Sequence, residues 1–394
     1  MTLRDWLVVL VIGFAGAFLG AVFTTVAPVL PQIASHYGGG QEGAFVAEWL
    51  LTAPSIGIVA GAPVAGWFVE RTGARAMLLI CLLAFGMVGL GGLVIENSTL
   101  LLVSRFIVGV AAAGQATAAT ALLGETFTGS KRGFVIGFQV AVATVLSILI
   151  TLAAGGLAEI GGWRAPFSLH ALALLVAVIA AVCVASSGAR PQRSRGSMGR
   201  FGPLVPTFMV VTATMMVAFI STNQVPLMLS GLGLSKPSLL SVVLGGGSLA
   251  TTAGALLYSK ILRGVGSNRT AALGGALQGI GILSLALAQS APLVVLGSVV
   301  LGLGSGILYP GFSHRILDRA PESAKGRAIG LLFAAQFIGP FLSTALVVPA
   351  IAGYGRRDSL LAIGIVLLVG WISSGTRRQT GKVAAPEALL PQGE

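Results

Sequence analysis

Twelve apolar stretches recur along this chain of 394 residues, each close to the roughly twenty residues that a helix needs to cross a bilayer. They run over residues 6–30, 44–69, 76–95, 100–123, 133–157 and 166–186, and then 203–229, 237–262, 270–288, 292–314, 326–350 and 359–374. Composition agrees: 55% of residues are hydrophobic and 9% charged, where soluble domains carry about 25% charged residues. So few charges could not cover a soluble fold of this size, and the solvent is lipid. The first run is too long for a signal-peptide core of about 7–15 residues, so it is read as a retained first helix. The predicted fold is all-α, with twelve transmembrane helices.

The connecting segments set the expected orientation. Assigned to alternating loops, 19 of the 24 Lys and Arg fall on one side, four on the other, and Arg105 inside a helix. The positive-inside rule then places both termini and the central linker in the cytoplasm, and the chain is expected in the inner, or plasma, membrane. The formal charge of +12 forms no single basic face, which argues against nucleic acid. A linker rich in Ser, Gly, Pro and Arg separates six runs from six. The predicted domains are residues 1–187, a linker at 188–202, residues 203–375, and a tail at 376–394. The halves repeat without a gap. Glu125 and Asp318, Ser130 and Ser323, Gly133 and Gly326, Ile136 and Ile329, Gly137 and Gly330, and Gly109 and Gly302 are all 193 positions apart. Parallel repeats of this kind build one class of transporter.

The stretch AGWFVERTGARAM, residues 65–77, is charged amid apolar surroundings. Gly66 would let the second helix approach a neighbour closely, and Gly73 would permit a tight turn. Glu70 stands at a helix C-terminus, where a negative charge is unfavourable without a cation or another helix N-terminus nearby. In the fourth helix Arg105, Gly109 and Ala113 share one face, and an arginine at that depth marks function by default. Two cysteines in apolar runs, Cys81 and Cys183, read as small buried hydrophobes. Three scattered histidines suggest neither a metal site nor a triad, and no Walker-type phosphate loop occurs. Nothing points to an enzyme or a cofactor. A channel would need a ring of charges or carbonyls, which the pattern does not offer.

The loop Gly66-Trp-Phe-Val-Glu70-Arg71-Thr-Gly73-Ala-Arg75 resembles the signature loop of the major facilitator superfamily, Gly-x-Leu-Ala-Asp-Arg-x-Gly-Arg-Lys. Gly66, Arg71 and Gly73 match, Glu70 replaces Asp, and Arg75 keeps the final positive charge. The helix 4 arginine motif resembles that of the same superfamily, and the ending GGWRAPF resembles bacterial efflux-type members, close to drug– or metabolite–proton antiporters. The Gly-Pro pair of the antiporter motif is absent. This resemblance implies two pseudo-symmetric six-helix bundles working by alternating access. It also implies a cytoplasmic gate at Gly66, Glu70, Arg71, Gly73 and Arg75, latched against the start of helix 11. Helices 1, 4, 7 and 10 would line the path, with Phe18, Thr25, Arg105, Gln115, Met215, Asn223, Gln224 and Tyr309 as cavity candidates. That set suits a moderately hydrophobic, neutral or anionic molecule.

Glu48 is the acid expected inside a helix, about one turn or roughly 6 Å deep at 1.5 Å per residue, at a depth similar to that of Arg105. Desolvation disfavours charge and a nearby cation favours it, so a paired Glu48 and Arg105 could load and release a proton. An ion pair between Glu159 and Arg164 is expected at the surface. The partners are then a small-molecule substrate, protons and the bilayer, with the chain a monomer. Export of a small amphipathic molecule is the leading function. Import or facilitated passage of a nutrient or anionic metabolite is the alternative, with lipid flipping behind both.

Overall fold

The computed structural model describes residues 3–126, 129–184, 202–320 and 325–376. Most of the predicted linker and the tail lie outside the described residues. Twelve long helices are found among those described: α1 (Leu3–Thr24), α2 (Gly40–Thr72), α3 (Ala74–Leu90), α4 (Ser98–Thr126), α5 (Gly129–Gly161), α6 (Ala171–Cys183), α7 (Val205–Gly231), α8 (Pro237–Val265), α9 (Ser267–Ala286), α10 (Ala291–Arg319), α11 (Lys325–Leu342) and α12 (Arg356–Thr376). Ten stretches are long and apolar enough to cross a membrane by length and composition. Two helices depart from simple spans. After α1 the chain continues through a 3-10 turn at Ala27–Val29 into a short helix, Leu30–His36, where Pro28 and Pro31 remove backbone donors. After Pro340, α11 widens into a π turn, Ser343–Val347, and resumes as Val348–Tyr354.

The repeat seen in the sequence governs the packing. In the first bundle α2 packs on α4, and in the second α8 packs on α10. Both contacts close on glycines: a Cβ at Gly61 or Gly109 would press on the backbone of Val110 or Pro54, and one at Gly254 or Gly302 on that of Leu303 or Gly247. Gly61 and Gly254 are 193 apart, as are Gly109 and Gly302. The turns repeat as well. Gly73, between α2 and α3, has φ 84 and ψ 153, and Gly266, between α8 and α9, has φ 80 and ψ 168. Only glycine is comfortable there. Gly162 (φ 70) and Gly355 (φ 82) form a further pair at the same step.

Gly66 does not do what its motif position suggested. Nothing lies within 4 Å of a Cβ built there, because Gly66 borders a cavity, and the close approach is made further along α2 by Gly57 and Gly61. The two bundles touch through α5 with α8 and through α2 with α11.

A cavity between the bundles and the seal beyond it

One end of the molecule carries the start of α1 and the Gly73 and Gly266 turns. A cavity of about 1100 Å³ occupies that half, between the bundles. Its wall takes Gly16 and Gly20 from α1, Ile58 to Gly66 from α2, and Ala113 to Gly124 from α4. Gln139 and Ser147 of α5, Ser248 and Thr252 of α8, and Gly330 to Phe337 of α11 complete it. A recess of about 320 Å³ shares Ser248, Thr251 and Phe337 with this wall and leads deeper, bounded by α7 and α10. Phe23, Phe219 and Phe337 meet in the recess, with ring centroids 5.2 Å apart for Phe23 and Phe219 and 6.3 Å for Phe23 and Phe337. Among the described residues neither wall holds a charged side chain.

The opposite end is sealed. Gln224 of α7 donates from Nε2 to Glu48 Oε1 of α2 at 2.8 Å, and both residues are about 2% exposed. The second carboxyl oxygen, Oε2, has no hydrogen-bond partner among the described residues. Arg356, at the start of α12, is within electrostatic reach. Beside this contact Trp49 packs on Phe341 with centroids 5.9 Å apart, and Ser238 of α8 donates to Glu159 of α5. Each of these contacts joins one bundle to the other, so this end is closed by polar and aromatic groups from both halves.

Several expectations need correction. Helix α2 begins at Gly40, so Glu48 lies two turns in, roughly 12 Å along the helix at 1.5 Å per residue. Glu48 and Arg105 are not an ion pair. Glu48 looks across to the second bundle, whereas Arg105 is fully buried inside the first, its guanidinium carbon 4.9 Å from the centre of the Phe167 ring. None of its three nitrogens has a hydrogen-bond partner among the described residues. Glu159 and Arg164 also part company. Arg164 donates to the Ile95 carbonyl at 2.9 Å and covers Trp163.

Of the cavity candidates, Met215 and Tyr309 line the recess. Phe18 is stacked on Phe85 in the core, with centroids 5.2 Å apart. Thr25 donates to the Ala21 carbonyl, as hydroxyls in apolar helices do. Gln115 is fully buried and, with Arg105, absent from both walls. Asn223 donates to Thr344 at 3.3 Å, and Gln224 belongs to the seal. Helices 1, 4, 7 and 10 do border the cavity or its recess. Sequence reasoning missed Gln139, Ser147, Ser248, Thr251 and Gln336, on α5, α8 and α11. A small polar residue on a membrane helix is as readily bonded to its own backbone, so no local signal separates the two uses.

In the loop expected to form the gate, Gly73 makes the turn. Arg71 lies over Trp67 at 3.8 Å, and Arg75 donates to the Ala181 carbonyl at 2.7 Å, tying α3 to the end of α6. Arg4 caps the same helix end through Cys183. These contacts stay within one bundle. The Glu70 side chain and those opening α11 lie outside the described residues.

The Major Facilitator Superfamily profile matches residues 12–344. The chain belongs to that superfamily. Its fold matches the crystal structure of a D-xylose–proton symporter with a TM-score of 0.77 at 15% identity, covering 94% of this chain and 97% of the other. A peptide transporter solved with sulfate gives a TM-score of 0.78 at 12% identity, over 93% of each chain. Among curated relatives, the multidrug resistance efflux pump PmrA of Streptococcus pneumoniae is 25% identical over 365 residues, 88% of this chain and 91% of the pump. The arabinose–proton symporter of Escherichia coli is 24% identical over 173 residues, which spans 36% of that symporter's length. As a major facilitator superfamily member the protein is a multi-pass membrane transporter of small molecules.

Proposed function

We propose that this transporter exports a small, uncharged amphipathic molecule across the inner membrane, as a monomer, by rocking its two bundles about the central cavity. The observation that carries the reading is the uncharged cavity confined to one half, with the other half sealed by Glu48 and Gln224. With the basic loops and both termini in the cytoplasm, this is an inward-open arrangement. Alternating access requires a second arrangement with the seal broken and the inner ends closed. In that state Glu70 and Arg71 would latch the cytoplasmic side.

Protons are the proposed driving ion, and Glu48 is their proposed site. It is the one buried acid among the described residues, and breaking the seal would bring it to water. The full-length likeness to an efflux pump favours export. A facilitator is the second reading. It is favoured by the fact that Glu48 stands outside the cavity wall, so a proton held there has no evident route inward in this arrangement. Inside-out vesicles containing the protein are expected to accumulate neutral N-phenylnaphthylamine when their lumen is made acidic, and the Glu48→Gln protein is expected to lose the gradient-driven part. Accumulation that ignores the gradient in the wild type would establish the facilitator, and gradient-driven accumulation by Glu48→Gln would remove Glu48 from coupling.

A further inference from the structure

The recess at the inner end of the cavity is a concentration of hydroxyl and amide groups. Ser221 of α7 and Ser298 of α10 face each other with their oxygens 2.8 Å apart. A hydroxyl pair at that distance uses one of its two hydrogens internally, leaving the other to donate outward. Tyr309 stands on α10 one turn from Ser305, whose oxygen accepts from Gln278 at 2.8 Å. Gln336 of α11, half-buried in the same wall, adds an amide. These groups can both donate and accept, and none carries charge.

Four charges of the first bundle, Arg105, Glu48, Arg71 and Arg75, are turned away from the cavity. Arg105 is closed in against Phe167, Glu48 is bound to Gln224 beyond the recess, and Arg71 and Arg75 hold their own bundle together. An ion moved into such a cavity would lose much of its hydration and find no counter-charge. A neutral group that loses water there regains hydrogen bonds from the wall. The wider cavity outside the recess, walled by glycines, alanines, Ile58, Ile148 and Phe333, suits an apolar body.

We infer that the substrate is an uncharged molecule with a hydroxyl- or amide-bearing head, that Ser221, Ser298, Tyr309 and Gln336 hold this head in the recess, and that its apolar body lies in the wider cavity. This inference rests on the reading of the cavity as the transport path. The earlier expectation of neutral or anionic cargo narrows to neutral, because Arg105 is not in the wall.

Three probes with one apolar body and different heads test it: naphthyl glucoside, naphthoate and naphthylmethylammonium. Binding to the purified full-length protein in lipid nanodiscs is read by naphthyl fluorescence anisotropy. The glucoside is expected to bind at least about tenfold more tightly than either ion, in keeping with the cost of intramembrane charge. Ser298→Ala and Gln336→Leu are each expected to weaken glucoside binding about three- to tenfold, with the thermal midpoint of each variant confirming its fold. Equal or tighter binding of either ion, or no binding of the glucoside, overturns the substrate class. Glucoside binding untouched by Ser298→Ala in a folded protein overturns the head site. Neither result alters the vesicle experiment, which judges the transport reading separately.

Discussion

Glu48 and Arg105 answer to different neighbours, and their substitutions are expected to act differently. Glu48→Gln keeps an amide that can still bond Gln224, so the seal and substrate binding should survive while proton-driven transport is lost. Arg105 has no hydrogen-bond partner among the described residues and rests on one aromatic face, a contact worth about 0.5–2 kcal/mol. Burying an unpaired cation costs several kcal/mol. Arg105→Met keeps much of the volume and removes that cost, so its thermal midpoint should equal or exceed that of wild type. A midpoint lowered by several degrees would mean that Arg105 has stabilising partners in the membrane. The sequence identified both residues as the notable interior charges, because charge is conspicuous in an apolar run. It did not tell which neighbour each faces. That depends on how α2 and α4 are turned in the bundle, and a shift of one residue turns a helix by about 100°.

At the scale of elements, the glycines separate into three uses that the sequence does not distinguish. Gly73 holds a backbone conformation other residues avoid, Gly109 admits the Pro54 carbonyl, and Gly66 borders open space. Gly73→Ala is expected to cost about 1–3 kcal/mol in strain, and Gly109→Ala a similar amount from overpacking between α2 and α4. Gly66→Ala should be neutral or slightly stabilising, since alanine is the better helix former by about 1 kcal/mol. Thermal unfolding of the three proteins in one detergent checks the order; an equal loss at Gly66 would show that its helix face is covered. Helix existence was legible throughout, because apolar length is a strong signal. The π turn after Pro340 and the extension of α1 to His36 were not, since proline marks a disturbance without stating how the freed carbonyls are satisfied. The 193-residue step was legible in the sequence, and the paired turns at Gly73 and Gly266 give its structural meaning.

For the whole molecule, the twelve helices and two bundles followed from the apolar runs and the repeat, and the superfamily from the resemblance of the Gly66–Arg75 loop, while the arrangement of the bundles depends on the contacts between them. The seal holds one buried hydrogen bond, an aromatic pair and a peripheral carboxylate contact beside the close packing of Gly155 of α5 on Ser241 of α8, and alternating access requires that the whole be reversible. Loss of the Glu70 charge is expected to weaken the proposed inner latch and enlarge the inward-open population several-fold, for a contact of about 1–3 kcal/mol. Loss of the seal should act the other way.

Paired spin labels measure this most directly, with one pair across the inner ends at Thr72 and Arg263 and another across the outer ends at the exposed Ile160 and Ser235, in the same lipid. In the resting protein the inner pair should be predominantly long and the outer pair short. Gln224→Leu should lengthen the outer distance and shorten the inner one together, and Glu70→Gln should do the reverse. Distances at both ends that stay fixed in the wild type and in both variants would contradict alternating access between these two bundles.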